Sequence, residues 1–261
     1  MDPVEAVILG IVQGLTEFFP VSSSGHLAML QALFGGKESG GLLFEVGVHV
    51  ATLIAIVFFY RARIAELVLG VLRRDPAALE YGAKLVVATL PAVIVGLSSK
   101  DAIERHFSNP VLVGAALLVT GLIVLTTRWT APKATATSPN WRAVVLIGCA
   151  QAFAILPGIS RSGSTVAAAV ALGVAPLVAA EFSFLLGVIA ISGAAVLMLP
   201  DLSAADPEAL ANIAYGGVAA LASGLLAIWL FIKMLDRGLF HYWAGYCWIV
   251  GAAFLTWVAI H

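Results

Sequence analysis

The sequence predicts an all-α polytopic membrane protein with six transmembrane helices plus two re-entrant helical hairpins in an inverted-topology repeat. Three observations lead to this prediction. Of the 261 residues, 61% are hydrophobic and only 11% are charged, whereas a soluble domain is nearer a quarter charged. Two apolar regions are interrupted by polar bends that carry proline and glycine. In addition, the second half of the chain repeats the first.

Six apolar stretches reach the length of about 20 residues that a spanning helix needs. They cover residues 43–60, 81–98, 110–128, 182–200, 214–233 and 242–260. The polar or proline-bearing segments between them, such as RRDPAALE and TAPKATATSPN, are predicted to be connectors. The N-terminus MDPVEAVILG has acidic residues where a signal peptide has Lys or Arg, so we expect the first apolar segment to stay in the mature chain.

Residues 4–34 and 142–180 each contain two short apolar arms around a polar bend, PVSSSGH in the first and PGISRSGST in the second. The arm LAMLQALF is too short to cross a bilayer. Backbone groups at such bends are tolerated at membrane depth only where they face protein or a water-filled cavity. We therefore expect two re-entrant hairpins. The alternative is ordinary spans joined by surface loops.

The sequence GIVQGLTEFFPVSSSG (residues 10–25) aligns with GCAQAFAILPGISRSG (residues 148–163) without a gap. This repeat alignment, continued in the same register, pairs Phe44 with Phe182. We expect one integral membrane domain over residues 1–261, made of two repeats at about 1–130 and 139–261. Each repeat holds one hairpin and three spans. Because three is odd, the second copy enters the membrane from the opposite face, and broken helices in such repeats meet near the midplane to form the site.

The charges of the loops predict the orientation, because cytoplasmic loops are rich in Lys and Arg. One side carries Arg61, Arg63, Arg73, Arg74, Arg128, Lys133, Arg142, Lys233 and Arg237, and the other carries Lys37, Lys100 and Arg105. The first side is expected to be cytoplasmic, so both termini and the mouth of the first hairpin face outward.

The two hairpin tips are expected to form one polar site. The first contributes Gln13, Glu17, Ser22, Ser23, Ser24, Gly25 and His26, and the second contributes Ser160, Arg161, Ser162, Gly163, Ser164 and Thr165. An ionisable group at membrane depth is by default functional. Arg161 binds phosphate oxygens with its planar fork, and hydroxyls and N–H groups at a helix start add to this. The predicted ligand is a phosphate or diphosphate. The alternative is that Arg161 only forms a salt bridge with Glu17.

Glu17, Ser23 and His26 add reactive groups to this binding site. Glu17 is a candidate ligand for a divalent cation, or it orients a water or the histidine. His26 is a candidate base or nucleophile, and Ser23 is a hydroxyl nucleophile for His26 to activate. Taken alone, a histidine after Ser-Gly is more often a capped helix start than a catalyst.

Other residues receive structural interpretations. Glu45 and His49 are spaced for a structural contact at the outer edge rather than a metal site. Cys149 and Cys247 lie in apolar runs and are expected to be buried, inert thiols. The net charge of −1 argues against a nucleic acid partner.

The sequence resembles the bacterial undecaprenyl-diphosphate phosphatase family, whose members are also called bacitracin-resistance proteins. QGLTEFFPVSSSGH and PGISRSGST match the two signatures of that family, and the resemblance extends over the whole chain. It implies hydrolysis of C55-isoprenyl diphosphate to the monophosphate and inorganic phosphate, which recycles the lipid carrier for peptidoglycan synthesis. It also implies a place in the bacterial inner membrane, a site reached from the periplasm, and a divalent cation, Mg²⁺ or Ca²⁺.

By position, the resemblance implies that Glu17, Ser23, His26 and Arg161 are catalytic, with Glu17 also the metal ligand. The predicted substrate-binding residues are Gln13, Ser22, Ser24, Gly25, Ser160, Ser162, Gly163 and Thr165. Gln13 departs from the family, since many relatives have glutamate there, so we expect Glu17 to bind the metal with the substrate's oxygens and water.

Several alternatives stay open. In one alternative, a water that His26 activates attacks the terminal phosphorus directly. An inverted-repeat transporter or flippase for a lipid phosphate or anion is another, because secondary carriers share this architecture. The expected partners are a polyprenyl diphosphate and the lipid bilayer. The oligomeric state, a homodimer included, is open.

Overall fold

The computed structural model describes residues 1–33, 41–98, 109–197 and 206–260. Within them lie twelve α-helices: α1 Pro3–Phe18, α2 Ser23–Leu33, α3 Gly41–Phe59, α4 Arg61–Leu72, α5 Pro76–Ser98, α6 Pro110–Leu125, α7 Thr127–Thr130, α8 Trp141–Phe153, α9 Arg161–Ala171, α10 Pro176–Leu197, α11 Pro207–Asp236 and α12 Trp243–Ile260. Short 3₁₀ turns cover Ala131–Lys133 and Phe240–Tyr242.

The described residues form helices and one isolated bridge between Ala136 and Val174, which confirms the predicted all-α class. Five helical segments in this part of the chain are long and apolar enough to span a membrane, and the bent pair α3 and α4 makes a sixth if it counts as one span. The protein is therefore a polytopic membrane protein. The basic residues predicted for the outer side, Lys37, Lys100 and Arg105, lie outside the described residues.

Three spans begin earlier than their apolar stretches predict. Helix α5 begins at Pro76, α10 at Pro176 and α11 at Pro207, because proline fits the first helical position, where its missing N–H has no partner to lose. Asp206 caps α11 by accepting a hydrogen bond of 2.7 Å from the Ala209 N–H. The hydropathy pattern places these less apolar first turns in the connectors or in the second hairpin.

The segment after the first span forms a helix of its own. Helix α4 leaves α3 at an angle of 78°, and the break falls at Tyr60. The Arg63 Nε in α4 donates to the Glu181 carboxylate in α10 at 2.9 Å. The sequence pattern did not predict this helix, because its mixed apolar and charged residues do not make a spanning stretch.

Both interrupted regions are pairs of short helices around a bend. Helix α1 has 16 residues and α8 has 13, which corresponds to about 24 Å and about 20 Å of helix, less than the roughly 30 Å of hydrocarbon in a bilayer. The second region ends at Ala171 rather than at residue 180, since α10 already begins at Pro176. The path of these regions through a bilayer stays a prediction.

The packing of the hairpins is reciprocal between the two halves. Helix α1 packs along α11, and α8 packs along α5. The repeat alignment pairs α1 with α8 and α5 with α11, so each hairpin lies against a span of the other repeat. Contacts between α6 and α12 and between α3 and α10 join equivalent helices. Two copies related by a two-fold axis pack in this way; the exact repeat bounds stay a prediction.

Aromatic side chains form the core beneath the two bends. The ring of Phe18, the last residue of α1, meets Phe184 edge to face at 5.6 Å. Phe184 in turn contacts Phe231 with ring centroids 5.1 Å apart. All three side chains are fully buried. This packing holds the end of α1, and therefore the preceding residue Glu17, against α10 and α11.

Candidate active site

The two tips share a capping hydrogen bond, although their backbones differ at the capping serine, since Ser160 is extended with φ of −73°. The Ser22 Oγ accepts a hydrogen bond from the Gly25 N–H at 3.3 Å, and the Ser160 Oγ accepts one from the Gly163 N–H at 3.0 Å. Each of these serines also lies 3.3 Å from the hydroxyl two residues further on. A side chain that caps the start of the returning helix satisfies a free N–H in both copies. Ser22 adopts the left-handed conformation with φ of 65°.

The tips touch each other through equivalent contacts. A Cβ added at Gly25 would lie 3.2 Å from the Gly158 Cα, and a Cβ added at Gly163 would lie 3.0 Å from the Pro20 Cβ. The repeat alignment exchanges these two contacts, since it pairs Gly25 with Gly163 and Pro20 with Gly158. The backbones of the two bends are therefore in direct contact, and lipid is excluded between them.

Two later helices support the tips. The Thr120 Oγ1 in α6 donates to the Gly158 carbonyl at 2.8 Å and accepts from the Ser160 N–H at 3.0 Å. The Cys247 Sγ in α12 lies 3.4 Å from the Pro20 carbonyl. These contacts satisfy backbone groups at the bends, which apolar surroundings would otherwise leave unpaired.

The carboxylate of Glu17 joins the two tips. Its Oε1 accepts a hydrogen bond of 2.6 Å from the Arg161 Nη2. Its Oε2 accepts from the Ser23 Oγ at 2.7 Å and from the Gln13 Nε2 at 3.1 Å. The structure thus brings four of the predicted site residues together at one buried carboxylate. The salt bridge between Arg161 and Glu17, which was the structural alternative to phosphate binding by Arg161, is present.

Arg161, the first residue of α9, is held from α10 as well. Its Nη1 donates to the Ser183 carbonyl at 3.2 Å, and a Cβ added at Gly187 would overlap its guanidinium. The Thr165 Oγ1 donates to the Arg161 carbonyl at 2.8 Å and lies 2.6 Å from the Ser183 hydroxyl. Ser183 and Gly187 were not among the predicted site residues, because they lie inside an apolar span.

A cavity of about 310 Å³ opens beside Glu17. Its polar lining comes from both tips and α3: Thr16, Glu17, Ser22, Ser23, Ser24, Glu45, His49, Ser160 and Arg161. Its apolar lining comes mainly from the second tip and α10: Val46, Ala154, Ile155, Ile159, Ala190, Ile191 and Ala194. A cavity with both charged and apolar lining suits an amphiphilic ligand.

His49 makes the expected contact with Glu45, through the Glu45 carbonyl, and it also lines this cavity, which the sequence did not predict. The His49 Nε2 lies 3.6 Å from the Glu17 Oε2. The Nδ1 lies 2.7 Å from the Glu45 carbonyl, and because a carbonyl only accepts, Nδ1 carries a hydrogen. Sequence spacing along one helix could not show that α3 faces the bend of the first hairpin.

His26 makes a different set of contacts from those expected. Its Nδ1 donates to the Ser22 carbonyl at 2.8 Å, and its Nε2 lies 2.8 Å from the Tyr246 hydroxyl. The two rings are nearly parallel, with centroids 5.7 Å apart. The expected pairing of His26 with Ser23 is absent, since Ser23 donates to Glu17, and His26 does not line the cavity. A catalytic role for His26 stays a prediction.

Some predicted binding residues lie behind the cavity rather than in its lining. The Ser162 Oγ donates to the Phe19 carbonyl at 3.3 Å. Thr165 contacts Ser183, Gln13 contacts Glu17, and Gly25 and Gly163 lie where the two bends meet. In this arrangement their contacts hold the tips and the residues that line the cavity.

The residues around Glu17 do not form a complete metal site. In the described residues, no group of three His, Cys, Asp or Glu side chains is placed to hold an ion. Both Glu17 oxygens accept hydrogen bonds, and one of the donors is a guanidinium. Mg²⁺ and Ca²⁺ need six or more oxygen ligands. A divalent cation therefore fits here only with oxygens that the substrate and water supply, and the metal role of Glu17 stays a prediction.

The expectation for the cysteines is confirmed for one of the two. Cys247 is buried, whereas Cys149 is exposed, so the expectation of burial is wrong for Cys149. Helix α8 packs through Ala143, Val144, Ile147, Gly148 and Gln151. Cys149 lies outside that set.

The fold and the cavity are those of a polytopic membrane protein with a partly polar cavity between two interrupted helical regions. The chain belongs to the bacitracin resistance protein BacA family, whose model matches residues 6–253.

Its relatives carry the name undecaprenyl-diphosphatase. The relative from Desulfatibacillum aliphaticivorans is 38% identical over 98% of this chain and 99% of its own length. The relative from Methanococcus maripaludis strain C5 is 39% identical over 94% of this chain and 96% of its own. The relative from Christiangramia forsetii is 39% identical over 97% of each.

Proposed function

We propose that this protein is an undecaprenyl-diphosphatase, an enzyme that hydrolyses undecaprenyl diphosphate to undecaprenyl phosphate and inorganic phosphate. Membership of the bacitracin resistance protein BacA family and the names of the full-length relatives support this activity. The observation that carries it is the hydrogen-bonded chain Ser23–Glu17–Arg161 beside the cavity. It places a hydroxyl nucleophile, a base and a permanent cation within reach of one anion.

The headgroup binds in the polar part of the cavity. Arg161 presents a planar fork suited to phosphate oxygens, and the N-terminus of α9, where Arg161 lies, attracts anions. Hydroxyls of Ser22, Ser24 and Ser160 also line the cavity. The isoprenyl tail lies along the apolar wall and continues into lipid. The Arg161 Nη2 now donates to the Glu17 carboxylate, and a phosphate oxygen takes over this donor when the headgroup binds.

Ser23 is the nucleophile in this mechanism. Its hydroxyl proton passes to the Glu17 Oε2, 2.7 Å away, as the Ser23 oxygen bonds to the terminal phosphorus. The bond from that phosphorus to the bridging oxygen breaks, and the lipid monophosphate leaves with the proton from Glu17. A water then attacks the phosphorus of the phosphoserine and gives a proton to Glu17. The bond between the Ser23 oxygen and phosphorus breaks, phosphate is released, and Glu17 returns the proton to the Ser23 oxygen. Arg161 neutralises charge that develops on the phosphoryl oxygens.

The alternatives are His26 itself as the nucleophile and a water that His26 activates. In the structure the His26 Nε2 is within hydrogen-bond distance of the Tyr246 hydroxyl, and His26 does not line the cavity. Ser23 lies in the lining and already donates to a carboxylate. These contacts favour Ser23. They also favour an enzyme over a carrier, because a carrier needs groups that bind its cargo and has no use for an activated hydroxyl.

The cavity is reached from the periplasmic face of the bacterial inner membrane. The Arg63–Glu181 pair joins α4 to the start of α10 at the arginine-rich side, which cytoplasmic charge bias predicts to be inside. The cavity is lined by α10 near Ala194, about 20 Å further along that helix at about 1.5 Å per residue. It thus lies toward the opposite face, on the side predicted for both termini.

The test is phosphate release by the purified protein in lipid nanodiscs supplied with undecaprenyl diphosphate, with and without a chelator. Steady release of one phosphate per substrate supports the proposal, and loss of release with the chelator supports a cation that arrives with the diphosphate. Binding of the lipid without release would instead support a carrier.

A further inference from the structure

Two backbone carbonyls at equivalent positions of the two repeats each accept a hydrogen bond from a basic side chain. The repeat alignment pairs Glu45 with Ser183. The Glu45 carbonyl accepts from the His49 Nδ1 at 2.7 Å, and the Ser183 carbonyl accepts from the Arg161 Nη1 at 3.2 Å. The imidazole in the first repeat and the guanidinium in the second therefore lie on corresponding positions of the scaffold, although they come from different positions in the sequence.

The sizes of the residues at these positions are complementary. The same alignment pairs Ser23 with Arg161 and His49 with Gly187. In the first repeat a small serine is combined with a large histidine, and in the second a large arginine lies over a glycine. A Cβ at Gly187 would already overlap the Arg161 guanidinium. Each repeat thus has room for one large basic side chain. The first repeat supplies it from the span, as His49, and the second supplies it from the bend, as Arg161.

Both of these side chains direct their second nitrogen toward Glu17. The Arg161 Nη2 lies 2.6 Å from Oε1, and the His49 Nε2 lies 3.6 Å from Oε2. The His49 Nδ1 is held by a carbonyl, so Nε2 is the ring nitrogen left to contact a ligand. The carboxylate therefore lies between two basic groups that line one cavity.

We propose that His49 is a substrate-binding residue that holds one phosphoryl group of the diphosphate through Nε2, while Arg161 holds the other. The inference rests on the proposed function. The Glu17 carboxylate spans the two basic groups, and a diphosphate offers an anionic oxygen to each of them. Orthophosphate occupies the position of the terminal phosphoryl group at Arg161, and the lipid monophosphate keeps only the inner phosphoryl group, so each of them contacts one basic group rather than two. His49 therefore makes the site selective for a diphosphate over the monophosphate product.

The experiment compares wild type with His49→Gln and His49→Arg, and uses His241→Gln, in a separate cavity, as the matched control. KM and kcat are measured with undecaprenyl diphosphate, and inhibition constants are measured for methylenediphosphonate and for orthophosphate. Loss of one charge-assisted hydrogen bond predicts an increase of about tenfold in KM and in the methylenediphosphonate constant for His49→Gln. The kcat and the inhibition constant for orthophosphate of His49→Gln stay within about threefold of the wild-type values. His49→Arg restores diphosphate binding, and His241→Gln changes nothing.

Three results would overturn the proposal. They are an unchanged KM in His49→Gln, a lower kcat at constant KM, and an equal weakening of both inhibitors. His49→Asn carries the same expectation as His49→Gln if the latter does not accumulate in the membrane. If the wild-type protein releases no phosphate, the proposed enzymatic function is wrong. If the wild type is active and the KM of His49→Gln is unchanged, only the role of His49 is wrong.

Discussion

The Arg161 guanidinium donates a 2.6 Å hydrogen bond to the Glu17 carboxylate, although the two residues are far apart in the sequence. This contact joins the bends of two separate hairpins. Both side chains are largely withdrawn from solvent, with 17% and 7% of their side-chain surface exposed. The pair therefore joins the two bends, and experiment can separate this structural contribution from the proposed role of the pair in catalysis.

The structural contribution predicts a strong coupling between the two residues. Removing one partner of a buried ion pair leaves an uncompensated charge, so Glu17→Gln and Arg161→Gln should each lower the free energy of unfolding by about 3 kcal/mol. The double variant should lose clearly less than the sum. Reversible unfolding in mixed micelles measures the cycle. The Arg63–Glu66 pair, with 32% and 69% of its side-chain surface exposed, is the control and should couple by about 0.5 kcal/mol. Equal coupling in both cycles would contradict the prediction.

Arg161 should be required for turnover. Because its charge offsets charge on the transferred phosphoryl group, Arg161→Ala should lower kcat by about a thousandfold. Arg161→Lys should recover little, since an ammonium lacks the planar fork. Phosphate release from protein reconstituted at equal amounts in nanodiscs is the measurement, and exposed Arg237 changed to alanine is the control. Near-normal release by Arg161→Ala would show that the phosphate binds elsewhere.

Ser23 should form a covalent intermediate. Ser23→Ala should lower phosphate release by about a thousandfold or more, because the alanine has no oxygen to attack phosphorus. Acid quenching with substrate labelled at the terminal phosphate should trap label on wild type but not on Ser23→Ala. Ser98→Ala, on an exposed part of α5, should behave as wild type. Activity within about tenfold of wild type in Ser23→Ala would favour direct attack by water.

Gly187 should be required for the position of Arg161. A Cβ at Gly187 overlaps the guanidinium, and a leucine there pushes the arginine away from Glu17, so Gly187→Leu should lower kcat by about a hundredfold. Gly193 lies in the same helix with no atom within 4 Å of its added Cβ, so Gly193→Leu should retain activity. Phosphate release and yield in the membrane are measured for both. Equal activity of the two variants would mean that Arg161 has other suitable positions.

The membrane fold is readable from the sequence because its signals are local. Long apolar stretches, prolines at helix starts and polar bends each reflect the chemistry of a few neighbouring residues. Helix α4 was missed because its residues are mixed in character and its bend at Tyr60 depends on packing against α5 and α10. The early helix starts at Pro76 and Pro207 show the same limit, since hydropathy does not register a capped polar turn.

The internal repeat extends what sequence can predict about the site. It predicted that the two bends face each other, and the bends do meet through the equivalent contacts of Gly25 and Gly163. It could not predict which side chains from the spans reach them. His49, Ser183 and Tyr246 lie within apolar helices, and nothing in their neighbouring residues marks them as parts of a polar site.

Composition, hydropathy and the duplicated motifs were sufficient for the membrane class, the two bends and the residues that gather on Glu17. These properties follow from local chemistry and from the requirement that polar groups avoid lipid. Only the three-dimensional packing assigned Ser23 to Glu17 rather than to His26, and brought His49 into the cavity. Hydrogen bonds of this kind depend on the rotation and depth of helices that are distant in sequence, and those are set by how all the helices pack together.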